Sequence, residues 1–334
     1  MRMMLILSLL LAMVACTLNA SGLKLSPGWK AKSMIVWRQA HPDMMVMSAD
    51  RRWLYVSCET EAHPRAPSLA VYDMSSGRNH VLLTGLHRAD GLKLAPDGSL
   101  WVGEEFGQGL IWRIAQPDRL PYEQFIDRRA MESSHPSIAP LPLAGTFAHE
   151  GISFSSDGRY AYLADEFEEG ALYRFALAQR ELDVLTEEGW ARIEFPDDAR
   201  LNARRLGART FNRIEDMETL PDGRILMSET GTGRILVLDD RGPSPFIGTY
   251  LEQAGLQHPD NLAWDEERRW LWITDDSDPS LLWLWDGRHL SEIARHEHAE
   301  ITGVIVDGDK LYINLQSSSG PELTLQLTPP ATVP

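Results

Sequence analysis

A motif that returns six times constrains this chain more than any other feature. It runs as an acidic residue, an apolar strand, a turn, a second strand with aromatics, an acidic pair and a third strand. Residues 90–114, DGLKLAPDGSLWVGEEFGQGLIWRI, carry it most fully. Residues 149–175, 215–239 and 260–286 repeat it, a weaker copy runs from Asp43 to Asp73, and a decayed one from Glu300 to Leu327. Repeats of roughly 40 to 65 residues built from short strands are the signature of propeller blades, because one small sheet cannot bury its own faces. The expected fold is therefore all-β, a six-bladed β-propeller.

The residues inside each copy agree with strands. Asp97-Gly98, Asp157-Gly158, Asp222-Gly223 and Asp307-Gly308 are hairpin dipeptides, with glycine accepting the positive φ of a tight turn. Trp53 and Tyr55, Tyr160 and Tyr162, and Trp270 and Trp272 alternate with a period of two, as on a half-buried strand. The propeller is expected over residues 34–328, with Met34 to Arg38 pairing with the last blade to close the ring. Residues 17–33 read as a linker and 329–334 as a Pro-containing disordered tail. Two stretches break the repeat, the Pro-rich Pro117 to Thr146 and the charged Glu187 to Phe211. Both are expected as irregular excursions.

Residues 1–16 read as an export leader. Met1-Arg2 is followed by an apolar run, Leu5 to Val14, too short to span a bilayer. Met13-Val14-Ala15-Cys16 looks like a bacterial lipobox, with Cys16 the lipidated residue; cleavage after Ala20 is the alternative. The expectation is a periplasmic lipoprotein or a secreted protein, touching membrane solely through that lipid. Lipidation of Cys16 would leave Cys58 without a disulfide partner, since the chain has 2 cysteines. A monomer is expected.

Charge narrows the function. With 48 acidic against 32 basic residues and a net charge of -16, the surface repels nucleic acid. The acids also fall at two fixed phases of the repeat. Asp90, Glu150, Glu215-Asp216, Asp260-Asn261 and Glu300 open the innermost strands, and Glu59, Glu104-Glu105, Asp165-Glu166, Glu229 and Asp275-Asp276 end the next strands. In an antiparallel blade those two positions are neighbours, so both phases reach one face of the ring. Carboxylates gathered so closely cannot all stay ionised without cations, and oxygen-rich cages suit Ca²⁺. Asp and Glu at strand ends are also common turn formers, the ordinary reading of Asp73, Asp97, Asp157, Asp222 and Asp286. His149 reads as a hydrogen-bonded structural group, and Cys58 as a buried thiol.

Four of these stretches resemble the PhoX-type alkaline phosphatase family. They are FAHEGISFSSDGRYAYLADEFEEGALYRF, RRLGARTFNRIED, LQHPDNLAWDEERRWLWITDD and GSLWVGEEFGQG, spread in order over residues 90–287. The resemblance implies calcium-dependent phosphoester hydrolysis on a six-bladed propeller. It places metal ligands at Glu150, Asp165, Glu215 and Asp260, and a phosphate-contacting arginine at Arg213. Where the family has an iron-binding cysteine this chain has Gly103, so an iron site and the activity depending on it are in question. Together the phases and the resemblance give Glu104, Glu150, Asp165, Glu215, Asp260, Asn261 and Asp276 as candidate metal ligands, with Glu150 and Arg213 carrying the chemistry. Three functions follow: a PhoX-like phosphoester hydrolase, a calcium-dependent lactonase or esterase of the gluconolactonase-like kind using Glu150, Asp260 and Asn261, or a non-catalytic calcium-bound propeller. The partner is a small phosphoester or lactone in the first two.

Overall fold

A computed structural model describes residues 22–317 and 320–330. The leader with Cys16, the start of the expected linker and the last residues of the tail lie outside them. The described chain is a six-bladed β-propeller. The innermost strands are Pro42–Met47, Ala89–Leu94, His149–Phe154, Ile214–Thr219, Pro259–Asp265 and Glu300–Asp307, for blades 1 to 6 in chain order. Each contacts the innermost strand of both neighbouring blades, so the six enclose one axis. Every blade then steps outward through antiparallel pairs. Six apolar clusters fill the clefts between successive blades, centred on residues such as Trp112, Tyr173 and Tyr312. This is how blades without cross-links cohere, each sheet face covered by its neighbour.

Ring closure pairs an early strand with a late one. Lys30–Trp37 forms the outermost strand of blade 6 and runs antiparallel to Glu322–Thr328, with Lys30 opposite Thr328 and Trp37 opposite Glu322. This strand begins within the stretch read as linker, and Lys24–Leu25 in that same stretch adds an edge to blade 5. The two interrupting stretches are more ordered than expected. Pro117 to Thr146 supplies Ile138–Pro140 as the outer strand of blade 2, and Gln124–Asp127 as an extra edge strand parallel to blade 1. Glu187 to Phe211 contributes Gly189–Arg192 to blade 3 and the helix Ala199–Arg205. In the first stretch Pro140 sits within an outer strand, because edge positions tolerate a missing N–H. No helix among the described residues is long and apolar enough to cross a membrane.

One irregularity recurs in all six innermost strands and positions the site. The pairing slips near the strand start, between Pro42 and Met45, Ala89 and Leu92, His149 and Ile152, Ile214 and Met217, Pro259 and Leu262, and Thr302 and Ile305. A bulge re-aims the side chain it carries. The residues at the first bulged position are Asp43, Asp90, Glu150, Glu215, Asp260 and Gly303. Five acids are thus turned toward the axis, and the sixth position is bare. Gly303 is fixed there by its φ of 52° and by Asp43 O, which a Cβ would meet at 2.1 Å.

Candidate functional site

The bulged acids line a cavity of about 180 Å³ at the end of the axis where the innermost strands begin. Asp43, Asp90, Glu150, Glu215 and Asp260 are joined in its wall by Glu59, Glu105, Asp276 and Glu300, nine carboxylates against two guanidiniums, Arg88 and Arg213. Burial raises the carboxyls of Asp43, Asp90, Glu150 and Asp260 well above their ordinary range, and the neighbouring carboxylates add to it. Glu105 and Glu300 are pushed up to about 8 by burial and by facing acids, chiefly Glu59 for Glu105 and Asp276 for Glu300. Asp90 Oδ1 and Glu150 Oε2 are buried without a hydrogen-bond partner, and Glu215 Oε1 meets the Arg213 guanidinium at 2.9 Å. Buried oxygens of this kind carry a desolvation cost that a cation relieves.

The oxygens are close enough to share ions. Ligand atoms of Glu150, Glu215 and Asp260 lie within 4.8 Å of one another, as do those of Glu105, Glu150 and Glu166, and those of Asp43, Glu59 and Asp90. Calcium–oxygen bonds of roughly 2.3–2.6 Å permit such spacings around one ion. The donors are oxygen throughout, which suits a hard cation and not a soft one.

Of the residues expected at the site, Glu150, Glu215, Asp260, Asp276 and Arg213 line the cavity; Glu104, Asp165 and Asn261 do not. Glu104 is fully buried, pairs with Arg128, and accepts the His87 N–H at 2.9 Å. Asp165 is clasped by Arg200 at 2.6 and 2.5 Å and accepts the Ala148 N–H at 3.3 Å. Glu229 and Asp275, at the same phase, accept the backbone N–H groups of Asn212 and of Gln257 and His258. This inner acid of each pair therefore pins the chain entering the innermost strand, and its lone pairs are spent on the protein. The outer acid of the pair, Glu105, Glu166 or Asp276, is the one turned to the site. Asn261 donates to Asp260 Oδ1 at 2.9 Å and accepts from the Gly303 N–H, so it positions a wall residue. Asp216, expected beside Asp90, Glu150 and Asp260, faces a separate cavity of about 280 Å³ farther along the axis with Lys93 and Glu218. It accepts the Leu262 N–H at 2.9 Å.

Arg213 reaches the cavity by a route other than strand alternation. Its φ is 58°, so it is not extended; its guanidinium pairs with Glu166 and lies 2.9 Å from Glu215. Arg88 occupies the same repeat position two blades earlier, with φ 49°, and contacts Glu59 and Glu105 at 2.5 Å. Arg88 and Asp43 were missed as site residues. The signal was their phase, one residue before Ala89 and one after Pro42, matching Arg213 and Glu150.

Sulfur plays no part in this wall. Cys58 is fully buried outside the cavity lining, and burial pushes its thiol up. A Cβ at Gly103 would sit 2.4 Å from His149 O, so no cysteine fits where the phosphatase family carries one. The residues do not fit an iron site with a thiolate ligand. His149 is a structural group, its Nε2 3.0 Å from Gly145 O and its ring held neutral by burial.

The comparisons agree with this departure. No protein-family model matches the chain, and no curated protein matches it. Solved structures do. A gluconolactonase from Xanthomonas campestris is 11% identical with a TM-score of 0.56, covering 92% of this chain and 95% of its own. A luciferin-regenerating enzyme is 12% identical with a TM-score of 0.61, covering 90% and 95%. Virginiamycin B lyase from Staphylococcus aureus, crystallised as an inactive variant with quinupristin, is 13% identical with a TM-score of 0.54, covering 90% and 99%. At these identities the likeness shows the fold. The structural neighbours are gluconolactonase-like and lyase propellers, which overturns the resemblance to PhoX-type phosphatases.

Proposed function

We propose that the chain is a cation-dependent hydrolase of small esters, of the lactonase kind. The observation that carries the reading is the triad Glu150, Glu215 and Asp260, three buried carboxylates from successive blades whose oxygens lie within 4.8 Å of one another at the propeller mouth. Its setting in a fold shared with a gluconolactonase supports the ester class over the phosphoester class. A bound hard cation supplies Lewis-acid polarisation of an ester carbonyl and acidifies a water. The protein's share is to hold the ligand oxygens in place. Asn261 orients Asp260 through its 2.9 Å bond, and Arg213 steadies Glu215. At about 180 Å³ the cavity is below the roughly 300–1,000 Å³ usual for drug-sized ligands, so the substrate is compact.

The test is proton release from a panel of lactones, carboxylic esters and phosphoesters by protein stripped with chelator. The expected result is no turnover in chelator, lactone hydrolysis on adding Ca²⁺ or Mn²⁺, and loss of that gain in Glu150→Gln. Equal rates with and without cation, or turnover of phosphoesters alone, would overturn the reading.

A further inference from the structure

The cavity wall contains a second triad that shares no residue with the first. Asp43 and Glu59 come from blade 1 and Asp90 from blade 2, whereas Glu150, Glu215 and Asp260 come from blades 3, 4 and 5. We infer that Asp43, Glu59 and Asp90 form a second divalent-cation site in the same cavity.

Three observations carry this. The ligand oxygens of these three residues lie within 4.8 Å of one another, so one ion can touch all three. Asp90 is 3% exposed, and its Oδ1 is buried, lines the cavity and has no hydrogen-bond partner. The positive charge beside them is already shared. Arg88 Nη2 sits 2.5 Å from Glu59 and equally 2.5 Å from Glu105, while the neutral amide of Gln316 serves both Asp43 at 3.3 Å and Glu59 at 3.2 Å. One divided guanidinium and one amide leave three carboxylates under-compensated. One ion at the first triad would sit among carboxylates of other blades and leave these oxygens unligated.

Two ions side by side would also change what the cavity accepts. Two divalent cations and two guanidiniums face nine carboxylates, so a substrate carrying its own carboxylate becomes acceptable where the cation-free wall, with seven more acids than guanidiniums, would repel it. The inference rests on the cavity's geometry and stands apart from the hydrolase reading.

The experiment is calcium calorimetry on chelator-stripped protein at pH 7.5, with manganese content of desalted, Mn²⁺-loaded protein as a second readout. The wild type is expected to bind two equivalents. Asp90→Asn and Glu59→Gln should each bind one, Glu215→Gln should bind one, and Asp90→Asn combined with Glu215→Gln should bind none. Glu59 is less buried than Asp90, so Glu59→Gln covers a failure of Asp90→Asn to fold, judged by near-ultraviolet circular dichroism. A wild type that binds a single equivalent overturns the inference, as does a folded Asp90→Asn or Glu59→Gln that still binds two. Two equivalents without lactone turnover would sink the hydrolase reading alone, and turnover with one equivalent would sink this inference alone.

Discussion

Removing cations should invert the usual pH dependence of stability above neutrality. In the stripped protein Glu105 and Glu300 hold their protons up to about 8. A free Glu side chain loses its proton near 4.3. A folded value above the unfolded one means the native state binds more protons between the two, so stability falls as pH rises through that window. Starting from pH 6.5, each carboxyl costs about 1.4 kcal/mol per pH unit until it ionises near 8, roughly 2 kcal/mol apiece and about 4 kcal/mol for the pair. Asp43, Asp90, Glu150 and Asp260 push in the same direction. His149 acts on the other side. Burial holds its value down to about 3 against an ordinary 6.5, so the native state binds fewer protons and stability is lost as pH falls below 6.5. The six raised carboxyls outnumber the one imidazole, so stability should already be falling by pH 6.5 and the stripped protein should be most stable below it. A loss of about 4 kcal/mol corresponds to about 6 °C in Tm for a domain of this length. Scanning calorimetry in chelator from pH 5 to 9 measures it directly. Calcium at about 100 times its Kd should restore roughly 2.7 kcal/mol per site at pH 8.5 and much less at pH 6. A Tm that is flat or rising between pH 6.5 and 8.5 in chelator would refute the reasoning.

Two further outcomes separate bracing acids from site acids and test the leader. Glu104→Ala or Asp165→Ala should cost about 3–5 kcal/mol in urea unfolding, by stranding Arg128 or Arg200 and a buried backbone N–H, with the number of bound cations unchanged. Fewer cations at unchanged stability would contradict this. Cys16→Ala should move the protein from the membrane fraction to the soluble one on cell fractionation; a variant still processed and membrane-bound excludes a lipid on Cys16.

The blades were legible because hairpin dipeptides and alternating aromatics are local signals, and local geometry decides them. Asp97-Gly98 and Asp157-Gly158 mark turns wherever they occur. The acidic phases were legible for the same reason. Which member of an acidic pair faces the axis was not, because the bulge shifts every innermost strand by a residue. Glu215 therefore enters the cavity while Asp216 leaves it. At the next strand's end the inner acid is consumed by backbone N–H groups, so Glu105 and Asp276 face the site while Glu104 and Asp275 do not. A guanidinium reaching in from a left-handed backbone, as Arg88 does, has no periodicity to betray it. The family phrases misled because an acid followed two residues later by an apolar one recurs at five bulged strand starts here, from Asp43, Asp90, Glu150, Glu215 and Asp260, and so reports the bulge before it reports a family.

Closure of the ring by Lys30–Trp37 against Glu322–Thr328 sets an order of events during synthesis. In blades 1 to 5 the strands stepping outward from the innermost one come from nearly contiguous chain, with Lys24–Leu25 joining the edge of blade 5 from far upstream. The sixth pairs residues almost 300 positions apart (Lys30 with Thr328), so it must await the synthesis of Glu322–Thr328. Until then Lys30–Trp37 is an unpaired edge, the kind of surface that recruits other chains. Removal of Glu322–Thr328 would reopen that edge permanently, and the resulting chain should aggregate instead of settling as a five-bladed fragment.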